Sequence, residues 1–157
     1  MNNVEINKQA KLSQHFTLGE LCKTSVRTAD GNIPSHAAIE NLKRLSGWLE
    51  MLRSEWNTRY GDGDDPIIIN SGYRSVQVNK AVGGVATSNH LTGCAVDIRV
   101  LGMEQLLRYA VILLDISDES QEDFDELLIE RNAKGTYWLH FAVRPEGNRR
   151  KIRLIAC

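Results

Sequence analysis

The sequence is poor in cysteine, in long apolar runs and in net charge, and each of these absences excludes a class of protein. Its 157 residues hold three widely spaced cysteines, an odd number that excludes a disulfide framework: Cys22, Cys94 and Cys157. No apolar run approaches the roughly 18 residues that are needed to span a bilayer. The formal net charge of −1, from 19 Lys+Arg and 20 Asp+Glu, gives no electrostatic reason to expect a nucleic-acid or anionic-membrane partner.

The remaining composition is that of one globular domain. The hydrophobic class makes up 42% of the residues, an ordinary value for a chain that buries a single core. We expect one domain over residues 1–157, with residues 1–15 as a loose N-terminal arm, and a monomer. The first residues hold no apolar segment of the kind that a secretory signal peptide requires, so we expect a chain that is cytoplasmic as synthesised and has reduced thiols.

Local patterns predict four helices, one of them a brief helix over 76–82 that Ser75 can cap. Thr17 and Glu20 fit a capping box that starts a short helix near Leu18. Apolar residues spaced by three and four predict a long helix across 39–56 and a second amphipathic helix across 103–114.

Strands are predicted mainly in the second half. Short β-branched or alternating runs indicate strands over 66–70, 95–100, 124–130 and 137–143, and a last one from Arg149. The acidic stretch from Asp115 to Glu126 predicts a solvated connector. Helices first and clustered strands later are typical of an α+β domain.

Two segments hold residues of the types that bind metal ions. His90 and Asp97 are seven residues apart, and Gly93 between them is where the backbone could bend and bring both side chains to one point. In the second segment, Trp138 and His140 share one strand face. Two imidazoles, one carboxylate and an open position would suit a catalytic zinc ion. From spacing alone, ordinary hydrogen-bonded histidines and a turn-capping aspartate remain an open alternative.

Four motifs in sequence carry a family resemblance: S-G-Y-R-S at 71–75, V-N-K-A-V-G-G at 78–84, S-N-H-L-T-G-C-A-V-D at 88–97 and W-L-H at 138–140. Together they resemble the zinc D-Ala-D-Ala carboxypeptidase family and its phage endolysin relatives, which share a fold with the Hedgehog signalling domain. The resemblance extends from about Phe16 to about Val143. It implies a Hedgehog/DD-peptidase-like α+β fold, in which helices pack on one side of a small antiparallel sheet.

The resemblance also implies roles for particular residues. It makes His90, Asp97 and His140 the ligands of Zn²⁺ and places Arg74 beside the metal, facing the substrate. A guanidinium there could stabilise the oxyanion that forms when an amide carbonyl is attacked, or hold a substrate carboxylate. We expect Ser88 to hydrogen-bond near the site or contact substrate, with a simple turn role as the alternative.

The general base departs from the family pattern. In several relatives a Glu stands three residues before the second histidine ligand, and here that residue is Tyr137. Glu130 is the expected replacement, because pairing of the strands 124–130 and 137–143 would bring it close to His140. Asp125 and Glu126 are weaker candidates, since their acidic surroundings indicate solvent.

These residues together predict a zinc-dependent metallopeptidase acting on peptidoglycan stem peptides. D-Ala-D-Ala carboxypeptidase and endolysin-type endopeptidase remain open, and a phage or prophage enzyme would act on the cell wall if released. The missing Glu favours an alternative, a non-catalytic zinc- or wall-binding module such as a phage structural component. A thiol enzyme built on Cys94 is a third hypothesis.

Overall fold

The structure, a computed structural model, describes residues 5–156. Two predictions reach beyond these residues: the first four residues of the expected N-terminal arm and the thiol of Cys157 both lie outside the described residues. Within the arm, the part that is described contacts the domain, because the backbone N–H groups of Leu18 and Gly19 donate to the carbonyls of Ala10 and Lys8. Across residues 5–156, no helix has the length and apolar character needed to cross a membrane.

The helices begin at capped positions. Thr17, Ser35 and Ser75 each accept a hydrogen bond from a backbone N–H in the first turn of the helix that follows. The described helices are α1 (Leu18–Leu21), α2 (His36–Arg59), α3 (Val76–Ala81) and α4 (Met103–Ser120), with a single 3₁₀ turn over Asn89–Thr92.

The prediction that α4 ends at Leu114 is wrong, because the helix continues to Ser120. Two acidic side chains of the supposed solvated connector are paired on this extension. Asp115 forms an ion pair with Arg59 of α2 at 2.8 Å, and Asp118 forms one with Arg150 at 2.9 Å. The first part of this segment is therefore helical, while Asp118 and the residues that follow it to Asp123 are exposed as expected.

Five strands form one mixed sheet. They are β1 (Ile69–Ser71), β2 (Ala95–Arg99), β3 (Glu126–Arg131), β4 (Tyr137–Ala142) and β5 (Lys151–Ala156), in the order β1-β2-β4-β3-β5. The first four pair antiparallel, whereas β5 runs parallel to β3. The α+β class is confirmed, but the expectation of a purely antiparallel sheet is wrong.

The return of the chain beside the start of β3 explains the parallel pairing. Arg150 donates its backbone N–H to the carbonyl of Phe124, and Lys151 donates to that of Asp125. Because β5 therefore begins where β3 begins, the two strands run in the same direction.

One face of the sheet packs on α2 and α4, whereas the opposite face carries the polar residues of the candidate site. Alternate residues of β2, β3 and β4, including Val96, Leu127 and Phe141, join the core formed with α2 and α4. The residues between them point the opposite way, since side chains alternate along a strand. The site described below lies on this second face.

Among the glycines of residues 5–156, Gly93 alone combines a left-handed φ with a close backbone neighbour. Its φ of +74° closes the 3₁₀ turn, and a Cβ there would lie 2.5 Å from the carbonyl oxygen of Ala38. Gly83 has a similar φ of +76° with nothing within 4 Å, so it makes a matched control.

We expect Gly93→Ala to lower the free energy of unfolding by about 3 kcal/mol, from left-handed backbone strain plus overpacking. Gly83→Ala should cost only about 1 kcal/mol, since the strain acts alone there. Urea denaturation of both variants measures the difference. Equal losses would contradict the close approach at Gly93.

Candidate metal centre

Strand pairing places two of the three predicted ligands side by side. Asp97 on β2 lies directly opposite His140 on β4. On the other side of β4, Leu128 of β3 is the residue opposite His140. Glu126 and Glu130, two residues before and after Leu128, are therefore its diagonal neighbours on the same face, within reach for long side chains.

His90 reaches the same point from the 3₁₀ turn. Ser88 caps this turn, and its hydroxyl accepts the backbone N–H of His90 at 3.2 Å. The left-handed Gly93 then returns the chain into β2, as predicted. His90 Nδ1 lies 2.7 Å from the carbonyl oxygen of Gly72, which can only accept a hydrogen bond. The Nδ1–H group is thereby held, and Nε2 faces Asp97 Oδ1 at 3.4 Å.

The three side chains converge in a buried cluster. Among the described residues, the potential ligand atoms of His90, Asp97 and His140 all lie within 4.8 Å of one another. The two imidazole rings stand 5.1 Å apart, and all three residues are at least nine-tenths buried. The three side chains therefore converge on one point, as the sequence predicts.

The charged groups of the cluster shift one another's pKa values. Burial by itself would raise the pKa of Asp97, but His90 and His140 hold it well below its usual range. Burial opposes a charged imidazole at His140, yet hydrogen bonds to Asp97 and Glu126 raise its pKa to about 9. The carboxylates around His140 thus stabilise positive charge at the centre.

The donor set fits a catalytic rather than a structural metal site. Two imidazole nitrogens and one carboxylate oxygen are ligands that Zn²⁺ accepts. Three protein ligands would leave a coordination position for water or substrate, whereas structural zinc sites are usually closed by four. His90, Asp97 and His140 are the residues that would hold the ion.

Glu130 lies at the cluster and Tyr137 does not. Glu130 Oε1 is 3.3 Å from His140 Nδ1. Tyr137 is three residues before His140 on the same strand, so its side chain points to the other face, where it packs against the core. This position therefore holds a half-buried tyrosine that packs against the core, and a carboxylate from β3 stands beside the histidine.

The expectation that Asp125 and Glu126 face solvent is wrong. Asp125 is fully buried, and the guanidinium of Arg149 grips it with hydrogen bonds of 3.0 and 2.8 Å. Burial alone would raise the pKa of Asp125, but Arg149 and Asn89 lower it to about 2. Glu126 Oε1 lies 3.1 Å from His140 Nε2. The acidic composition of the segment concealed these contacts, since their partners are distant in sequence.

Arg74 lies beside the cluster. Its Nη2 donates to Asp97 Oδ2 at 3.2 Å, and its Nε donates to Ser71 Oγ at the same distance. The backbone N–H of Arg74 also donates to the carbonyl of His90. The side chain retains 17% exposure, so a guanidinium next to the metal position can still meet a ligand.

A cleft of about 570 Å³ lies next to Glu126, which contacts His140, although the three potential ligands do not line it. Its lining includes Ser88, Asn89 and Glu126, together with three basic residues and a second acidic one: Arg144, Arg149, Lys151 and Glu146. Ser88 thus both caps the turn that carries His90 and lines the cleft.

The environment of Cys94 is unfavourable for a catalytic thiol. The residue is 2% exposed, and burial raises the pKa of its thiol. A catalytic cysteine needs the opposite, a stabilised thiolate with access to substrate.

Comparison with known proteins finds similarity to peptidases. The profile described as Peptidase M15 matches residues 14–113. The zinc D-Ala-D-Ala carboxypeptidase of Streptomyces albus G is 32% identical over 84 residues, which cover 54% of this chain and 31% of that protein. The match therefore spans less than a third of the relative. The profile match includes Arg74, His90 and Asp97, whereas His140, Glu126 and Glu130 lie beyond its end.

Proposed function

Since the chain belongs to the Peptidase M15 family, we propose that it is a zinc metallopeptidase that hydrolyses peptidoglycan stem peptides. The observation that carries this proposal is the buried convergence of His90, Asp97 and His140, with Arg74 in contact with Asp97. The name of the Streptomyces relative, a zinc D-Ala-D-Ala carboxypeptidase, supports both the metal and the substrate class.

The three ligands, Glu130 and Arg74 each contribute to such a reaction. Zinc bound by the three ligands would polarise the scissile carbonyl and lower the pKa of water to about 7. Glu130 accepts the proton of the attacking water and returns it to the leaving amine. Arg74 stabilises the negative charge that develops on the carbonyl oxygen, or holds a terminal carboxylate of the substrate.

For the bond that is cut, we propose the terminal D-Ala-D-Ala linkage as the first candidate, because the relative is named for that activity. An endopeptidase of the endolysin type, including a phage enzyme that reaches the wall after release, would use the same side chains. The products distinguish the two: a carboxypeptidase releases free D-Ala, whereas an endopeptidase leaves two shorter peptides.

A muropeptide digest tests the proposal. Purified protein loaded with one equivalent of zinc should cleave muropeptides, treatment with chelator should abolish cleavage, and added zinc should restore it. Mass spectrometry of the products identifies the bond. Muropeptides that survive intact beside stoichiometric zinc would favour the non-catalytic binding module instead. Cleavage that survives chelator but not a thiol alkylator would favour the Cys94 hypothesis.

A further inference from the structure

We propose that Glu126 is a positioning residue of the metal centre, which holds the His140 ring through Nε2 so that Nδ1 faces His90 and Asp97. The inference rests on the proposed role of His140 as a metal ligand. It does not require that the protein cleaves a peptide.

The two nitrogens of the His140 ring have different neighbours. Nδ1 lies 3.1 Å from Asp97 Oδ1, inside the cluster of potential ligands. Nε2 points away from it and lies 3.1 Å from Glu126 Oε1. An ionised carboxylate only accepts hydrogen bonds, so Glu126 requires the hydrogen to be on Nε2. In the neutral ring, the lone pair is then on Nδ1, which faces the metal position.

Glu126 is itself held by a second donor. The side-chain amide of Asn89 donates to the same Oε1 atom at 2.6 Å. Arg149 Nη2 stands 3.9 Å from the other oxygen, Oε2. The side chain is only 14% exposed, so water competes weakly for these contacts. A carboxylate restrained in this way can fix the orientation of the ring that it touches.

Asn89, which holds Glu126, makes a further hydrogen bond to a buried carboxylate. The amide of Asn89 also donates to Asp125 Oδ2 at 2.8 Å, and Asp125 is anchored by Arg149. Asn89 directly precedes His90 in the chain. One short turn therefore supplies His90 to the cluster and, through Asn89 and Glu126, orients His140 on the opposite side.

The expected effect on metal binding is large. Metal-binding histidines usually donate their other ring N–H to a carboxylate or carbonyl, and loss of that partner typically costs about 10- to 100-fold in metal affinity. We expect a loss of this size in Glu126→Ala. Glu126→Gln keeps an acceptor but loses the charge, so its loss should be smaller. Glu122→Gln, which removes an exposed carboxylate, is the matched control.

Two measurements test the proposal, and neither depends on turnover. Competition with a chromogenic chelator gives the zinc affinity of each variant. Nuclear magnetic resonance of the zinc-loaded protein reports the Nε2–H proton of His140, which should be a hydrogen-bonded resonance in the wild type. This resonance should disappear in Glu126→Ala and shift in Glu126→Gln, while Glu122→Gln leaves it in place.

A folded Glu126→Ala variant with wild-type zinc affinity and an unchanged resonance would overturn the proposal. If Glu126→Ala does not fold, Glu126→Gln decides: unchanged affinity together with an unshifted resonance overturns it equally. The proposed function fails separately, because it fails when the wild type holds zinc and leaves every muropeptide intact. Weakened zinc binding in the variants would then still support the positioning role of Glu126.

Discussion

His140→Ala is expected to abolish stoichiometric zinc binding and to reduce muropeptide cleavage by on the order of a thousandfold or more. The metal supplies several kcal/mol of charge stabilisation in the transition state, and each 1.36 kcal/mol is worth about a factor of ten in rate. The loss should be this large because three ligands are the minimum of a catalytic zinc site. Bound zinc, measured by elemental analysis after dialysis, and product release from muropeptides check both parts.

Two further variants keep this test interpretable. His36→Ala removes an exposed imidazole at the start of α2 and should leave zinc and cleavage unchanged. Asp97→Asn removes a ligand charge with little change in volume, so it tests the site if His140→Ala does not fold. Retention of one zinc and of full cleavage by both site variants would show that the cluster is not the metal centre.

Glu130→Gln is expected to give the opposite pattern, with zinc retained and turnover lost. A positioned general base or acid contributes typically about 10²- to 10⁴-fold, and glutamine can neither accept nor return the proton. Since Glu130 lies 3.3 Å from His140 Nδ1 without being one of the three ligands, the variant should bind zinc normally. We expect kcat to fall within that range while KM changes little.

The comparison with Glu126→Gln makes the assignment of Glu130 specific. Both glutamates touch His140, Glu130 at Nδ1 and Glu126 at Nε2. If Glu126→Gln loses turnover while its zinc stays bound, and Glu130→Gln does not, then the two roles are exchanged. Full kcat in Glu130→Gln would refute its role in proton transfer, with Glu122→Gln as the control for an exposed carboxylate.

Much of the candidate site could be predicted from the sequence, because it lies in short motifs. His90, Asp97 and Arg74 fall within two of the four motifs that carry the family resemblance, and His140 falls within a third, W-L-H. Their convergence needed only a bend at Gly93 and the pairing of two strands. The family itself is confirmed, whereas the roles of Glu130, Arg74 and Ser88 stay predictions.

The support around the site could not be predicted in the same way. Asn89 and Glu126 are 37 residues apart, and Asp125 and Arg149 are 24 apart. No periodicity or spacing rule links residues at such distances, so each pair becomes visible only when the chain has folded. Because only the neighbouring acidic residues could be considered, Asp125 and Glu126 were predicted to be solvated. In the structure both are held by hydrogen bonds.

Local sequence patterns were enough to predict where most helices and strands form and which side chains can bind a metal. Helix caps such as Thr17 and Ser75, and the apolar stripe of α2, act between residues three or four apart, so they can be read along the chain. The length of α4, the parallel direction of β5 and the partners of Glu126 became visible only in the folded chain. The end of α4 is paired with Arg59 and Arg150, β5 pairs with β3, and Glu126 contacts side chains from the 3₁₀ turn and β4. All of these contacts join residues far apart in the chain, so long-range packing brings them about and local sequence does not encode them.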